Sequence, residues 1–191
     1  MITTIGKKVK GFLTNPVDTF RQSKEEGPDA VFPYFAALLL LHAALSALIA
    51  ALMIETLPIA GGLSGPVAVF LVTLVAGFIG ILLLGVWLHL WVVIFGGRRG
   101  IWQTIKAVMY GDTPFLLFGW IPFIGFIFLL WSLVLGILGI RELQEMSSLK
   151  AILAVALAVM IPLILVLILA AYFMIATTTT TMVPEPVVSQ L

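Results

Sequence analysis

Residues 66–100 read PVAVFLVTLVAGFIGILLLGVWLHLWVVIFGGRRG. From Pro66 to Phe95 the stretch holds no Asp, Glu, Lys or Arg, and Arg98 and Arg99 follow at once. A bilayer core of ~30 Å takes ~20 apolar helical residues. At ~1.5 Å per residue this stretch reaches ~45 Å, so it is a membrane helix that must tilt or protrude. Four more apolar stretches lie around it, at 33–54, 101–118, 122–140 and 150–176. With 62% hydrophobic and 10% charged residues the chain is far from soluble usage, and the stretches leave no room for a soluble domain.

Counted as five spans, the stretches put every lysine and arginine on one side. Lys7, Lys8, Lys10, Arg21 and Lys24 precede the first, Arg98 and Arg99 follow the second, and Arg141 and Lys150 follow the fourth. The links at 55–65 and 119–121 and the tail 177–191 have none, and Lys106 lies near the Arg99 end of the third span. Lys and Arg are retained in the cytoplasm because crossing the bilayer is costly, so the N-terminus is expected inside and the C-terminus outside. A net charge of +1 gives no reason to expect nucleic acid, and the absence of cysteine excludes disulfides and thiol chemistry. The first 24 residues are too polar for a signal peptide.

The expected fold is all-α and integral to a membrane: a five-transmembrane-helix bundle with a short N-terminal amphipathic surface helix. The expected division is a cytoplasmic arm at 1–30 with short interfacial helices, a helical domain at 31–176 and a disordered external tail at 177–191. In the arm, Ile2, Ile5, Val9, Phe12 and Leu13 form an apolar stripe, with Lys7, Lys8 and Lys10 off it. Asn15-Pro16-Val17-Asp18 starts a second short helix over about 16–25, ended by Gly27-Pro28. In the first span Ala43, Ala47 and Ala51 recur at four-residue spacing, which suits close helix contact and a protein-facing helix. Glu55 marks the outer end of that span, and residues 61–66 form an outer turn. Gly77, Gly80 and Gly85 mark close packing or a kink, and Trp87 and Trp91 suit an interface.

The third stretch is the most polar, with Gln103, Thr104, Lys106, Tyr110, Asp112 and Thr113. Pro114 has no N–H, so the Tyr110 carbonyl loses its helical partner. A break at depth needs protein or water to satisfy it. A rival topology makes 101–118 alone a surface or re-entrant segment, but it would put Arg141 and Lys150 outside. No internal repeat is evident.

Ionisable groups within spans raise a functional reading by default. Counting residues from the span ends places Lys106 and His89 ~8–9 Å deep, and His42 and Asp112 ~14–17 Å deep. His42 with Asp112, and His89 with Lys106, are thus depth-matched pairs. The candidate polar cluster is Asp112, His42, His89, Lys106, Tyr110 and Thr113, either as a relay or polar substrate site or as a structural cluster fixing helix register. Lys106 can also snorkel to the inner surface. No nucleophile elbow, metal motif or phosphate-binding loop is present, so no catalytic, cofactor or metal residue is expected.

An ordered set of short motifs runs along the chain. It comprises Asn15-Pro16…Phe20, Gly96-Gly97 before Ile101-Trp102-Gln103-Thr104, and Tyr110-Gly111-x-x-Pro114. Trp120-Ile121-Pro122-x-x-Gly125, Trp131…Gly139-Ile140-Arg141-Glu142-Leu143 and Ser147-Ser148-x-Lys150-Ala151 follow. In these the chain resembles the Yip1 domain family of five-span membrane proteins, up to about residue 176. The resemblance implies a helical bundle with a cytoplasmic N-terminus. Eukaryotic members act in vesicle traffic and bind Rab-type GTPases and each other. An arm of about thirty residues is short for that branch and points to a prokaryotic member of the cytoplasmic membrane rather than to GTPase recruitment. The function expected is that of a non-catalytic protein that organises membrane or recruits partners. Anionic lipid head groups would meet its inner face, and protein partners or self-association would come through helix contacts. The alternative is a small transporter or channel built on Asp112 and His42.

Overall fold

The computed structural model describes residues 2–53 and 65–181, which are mostly helical and, among themselves, contain no strand. The helices are α1 (Ile2–Thr14), α2 (Pro16–Gln22), α3 (Pro28–Met53), α4 (Gly65–Ile94), α5 (Ile101–Gly111), α6 (Thr113–Phe118), α7 (Gly125–Leu143) and α8 (Ser148–Thr181). The expected outer turn at 61–66 lies largely outside the described residues, as do Glu55 and positions 182–191 of the expected tail. Helix α8 continues to Thr181, five residues into the segment expected to be disordered.

Four helices, α3, α4, α7 and α8, are long and apolar enough to cross a membrane. The third apolar stretch is instead two short helices meeting at Asp112. The break falls beside Pro114, and the local sequence repairs it. The Thr113 hydroxyl donates to the Tyr110 carbonyl at 2.6 Å, taking the place of the missing proline N–H. The Phe115 N–H turns to Ser132 Oγ on α7, at 3.0 Å.

The described residues form two compact units, one up to Val155 and one from Ala156. In the first, α3 packs on α4, α5 lies between α4 and α7, and α6 rests on α3 and α7. Glycines set the closest approaches. A Cβ on Gly77 would meet Leu39 at 2.7 Å, and one on Gly85 would meet Ile105 at 2.9 Å, so two of the α4 glycines seat neighbours in an unbroken helix. A Cβ on Gly111 would meet the Gly136 backbone at 3.0 Å, where α5 crosses α7. Helix α3 is buried only in its first half, from Val31 to Ala43. The Ala43-Ala47-Ala51 row meets protein closely at Ala43, while Ala51 is exposed. In the second unit, Leu163–Leu169 and Tyr172–Ile175 are exposed and apolar, as a lipid-facing helix requires.

The N-terminal arm departs most from expectation. Phe12 of α1 and Phe20 of α2 are fully buried. Their rings lie 4.8 Å apart, and Phe12 is also 4.8 Å from the Tyr110 ring. Phe20 occupies the space above Gly139, where a Cβ would come within 2.9 Å of its ring. The apolar stripe read as a lipid-surface helix therefore packs into the bundle at Phe12, while Lys7 and Lys10 remain exposed.

Candidate functional site

The arm, α3 and α5 enclose a polar cluster around the loop 23–27. Lys106 on α5 is fully buried, and its Nζ donates to the carbonyls of Lys24 (2.6 Å) and Glu26 (3.0 Å). Trp102 and Gln103, one turn earlier, donate to the same two carbonyls at 3.2 and 3.1 Å. One face of α5 thus clamps the backbone of a loop that has no helix of its own to satisfy it. Lys106 does not snorkel to water. Its stem runs to the charged end, but its ammonium stays in protein.

The Glu26 side chain faces α1. It pairs with Lys8 and accepts a hydrogen bond from the Tyr110 hydroxyl. Lys8 also donates to Tyr110 Oη at 2.9 Å and sits 4.7 Å from the centre of its ring. Burial alone would raise the Glu26 carboxyl, but the bonds from Lys8 and Tyr110 outweigh it and hold it below the usual carboxylate range. Deeper in, the Tyr34 and Thr113 hydroxyls lie 2.9 Å apart, and the Tyr34 ring meets Tyr110 edge-on at 5.1 Å. Lys8, Glu26, Tyr110, Tyr34 and Thr113 are thereby linked from the charged end to the helix break.

The two expected pairs do not form. His42 Nδ1 is 3.2 Å from the Leu116 carbonyl, and its ring lies 5.2 Å from Phe115. Asp112 caps the α5–α6 junction through its backbone, and its carboxyl accepts no hydrogen bond from a described residue. His89 Nδ1 meets the Thr104 hydroxyl at 2.9 Å rather than Lys106. Gln144 extends that contact. Its Nε2 donates to Thr104 Oγ1 (2.9 Å) and to the Gly100 carbonyl (2.8 Å), and its Oε1 accepts from the Arg99 N–H (2.9 Å). This joins the ends of α4, α5 and α7.

Ion pairs close the same end of the molecule. Glu142 bridges Arg21 (2.8 Å) and Arg141 (2.7 Å), while Glu145 bridges Lys24 (3.0 Å) and Arg99. Glu145 raises the Arg99 guanidinium and is itself held below its usual value, mainly through the bond from Arg99. Lys7, Lys10, Arg98 and Lys150 have no ion-pair partner among the described residues.

Of the sequence-predicted residues, Lys106, Tyr110 and Thr113 belong to the linked cluster, whereas His42, His89 and Asp112 stand apart from it. Reading the spans singly missed Lys8, Glu26, Tyr34, Trp102 and Gln103. One signal was present: Gln103, Lys106 and Tyr110 share a face of α5 and need acceptors near the charged end, where Glu26 lies. The family's Pro122 and Gly125 stand at the turn before α7, with Gly125 pressed against Gly119, whose carbonyl would be 2.4 Å from an added Cβ. One open apolar groove runs along α4 at Leu71, Val75 and Ile79, and another lies between α3 and α4 at Leu39, Leu74 and Phe78; Asp112 lines neither.

Comparison with curated proteins and with solved structures gives no match. The Yip1 domain model matches residues 10–182, which takes in the second half of α1, both aromatic anchors of the arm and the whole bundle. An integral membrane protein by its apolar helices, the chain belongs to the Yip1 domain family.

Proposed function

We propose that this protein is a non-catalytic membrane organiser that recruits anionic lipids at its charged end and protein partners through helix contacts. The observation that carries the reading is the allocation of polar groups. Lys8, Glu26, Lys106, Tyr110 and Gln144 are spent on holding helices together, and Lys7, Lys10, Arg98 and Lys150 are left exposed at one end. Four cations with no ion-pair partner among the described residues suit anionic head groups at a membrane surface, each worth ~1 kcal/mol there. All five apolar stretches are membrane-embedded in this reading, with the N-terminus cytoplasmic and the C-terminus outside. Self-association and protein partners come through helix contacts. The arm, packed into the bundle at Phe12 and Phe20, does not favour GTPase capture. The membrane is the cytoplasmic one of a prokaryote.

Transport is the second reading, favoured by the Asp112 carboxyl, which accepts no hydrogen bond from a described residue. Proteoliposome flux separates the two. The organiser reading expects no proton or ion flux above empty vesicles. Flux that Asp112→Asn abolishes while the protein stays folded would overturn it. Lipid recruitment is read separately, by mass spectrometry of co-purified lipid. A Lys7→Glu/Lys10→Glu variant should retain less anionic phospholipid than wild type, and equal retention would remove that part of the proposal.

A further inference from the structure

The turn between α6 and α7 has properties that a water-facing turn does not need. Residues 119–124 read Gly-Trp-Ile-Pro-Phe-Ile, with no charged, amide or hydroxyl side chain. The single polar side-chain group, the Trp120 indole N–H, donates back to the Leu117 carbonyl at 2.7 Å. The backbone N–H groups of Gly119, Ile121, Ile124 and Gly125 donate to carbonyls within 115–122, at 2.6 to 3.1 Å. Pro122 has no N–H to satisfy. Outward the turn shows Phe123, 96% exposed, and Ile124, 48% exposed. Phe123 holds a φ of 63°, which few residues other than glycine adopt.

Hydrogen bonds between helices show how far this tip reaches. Phe115 and Leu116 meet Ser132 on α7 and His42 on α3, so those two residues share a level. From that level α7 runs seven residues to Gly125, ~10 Å, and α3 runs eleven to Met53, ~16 Å. Over the ~6 Å beyond Gly125, into which only the turn itself projects, α3 still shows apolar side chains, Leu52 at 68% and Met53 at 56% exposed.

We infer that the hairpin of α5, α6 and α7 enters the membrane from the charged end and stops short of the far surface, with residues 119–124 immersed among the acyl chains of the far leaflet. Irregular backbone is kept out of hydrocarbon by the cost of unsatisfied N–H and C=O groups, and in this turn the N–H groups of Gly119, Ile121 and Ile124 and the carbonyls of Ile121, Pro122 and Ile124 are bonded within the chain. Its occupant is lipid, because the exposed side chains offer only apolar contact. Such a hairpin also leaves Arg98, Arg99, Arg141 and Lys150 together on one side, unlike re-entry of 101–118 alone.

The chain has no cysteine, so single probes report one position each. Phe123→Cys and Ile124→Cys are placed in otherwise unchanged full-length protein in vesicles, with folding checked by monodisperse elution. A membrane-impermeant maleimide should label both roughly an order of magnitude more slowly in vesicles than after detergent solubilisation. A bimane attached at either site should be quenched by lipids brominated along the acyl chain. Equal labelling in vesicles and detergent would overturn the proposal. So would slow labelling without acyl-chain quenching, which would mean that protein covers the tip.

Discussion

At the residue scale, the fate of each buried ionisable group follows from what its neighbours must satisfy. Lys106 is buried because the loop at 24–26 presents two carbonyls that no helix partners. Lys106→Met keeps the stem and removes the donor, leaving the Lys24 and Glu26 carbonyls with only Gln103 and Trp102. The expected cost is about 2 kcal/mol, measured as a lower melting temperature in detergent. Glu26 carries a pH dependence. Its carboxyl is held below the usual 4.5 when folded, so its contribution is full above the unfolded value and is lost as pH falls through the depressed one. Melting temperature should therefore hold from neutral pH to about 5 and fall in stronger acid. Glu26→Gln should melt lower at neutral pH and lose part of that acid-dependent fall. An unchanged acid profile in the variant would show that Lys8 and Tyr110 do not act through this carboxyl.

At the element scale, the break in the third stretch is where reading one segment at a time stops working. The sequence marks the break with Pro114, and the repair lies one residue away, in the Thr113 hydroxyl. Thr113→Val should cost ~1–3 kcal/mol, because the Tyr110 carbonyl and the Tyr34 hydroxyl both lose a partner in a buried site. Two glycines at one crossing give a sharper test. A methyl on Gly111 meets the Gly136 backbone at 3.0 Å, whereas a methyl on Gly136 meets nothing within 4 Å. Gly111→Ala should destabilise by ~1–3 kcal/mol and Gly136→Ala by less than about 1 kcal/mol. Equal melting temperatures for the two variants would contradict the crossing geometry.

On the scale of the whole molecule, the arm is part of the bundle. The family match begins at residue 10 and so includes its two phenylalanines. Gly139 exists as a seat for Phe20, and a leucine there would collide with the ring. Gly139→Leu should release α2, and α1 with it. Trypsin cleavage within residues 7–24 should rise by about an order of magnitude, with a melting loss like that of overpacking, ~1–3 kcal/mol. A detachable surface helix would show neither change.

What the sequence determined was set by solvent and chain chemistry. The absence of charge from 66 to 95 dictates a membrane helix, because no bilayer core hydrates an ion, and Pro114 marks a site of interruption, because it lacks an N–H, although Pro33 and Pro162 lie within continuous helices. The ordered motifs carried the family. Depth could be counted from the rise per residue, but depth alone pairs residues without regard to the face they occupy. His42 and Asp112 match in depth yet make no hydrogen bond to each other. Only the tertiary structure decided which polar groups meet. Lys8 finds Tyr110 across 102 positions of sequence, and Gln144 finds Thr104 across 40. The physical reason is that those contacts depend on helix rotation and crossing, set by where Gly85, Gly111 and Gly139 let neighbours approach.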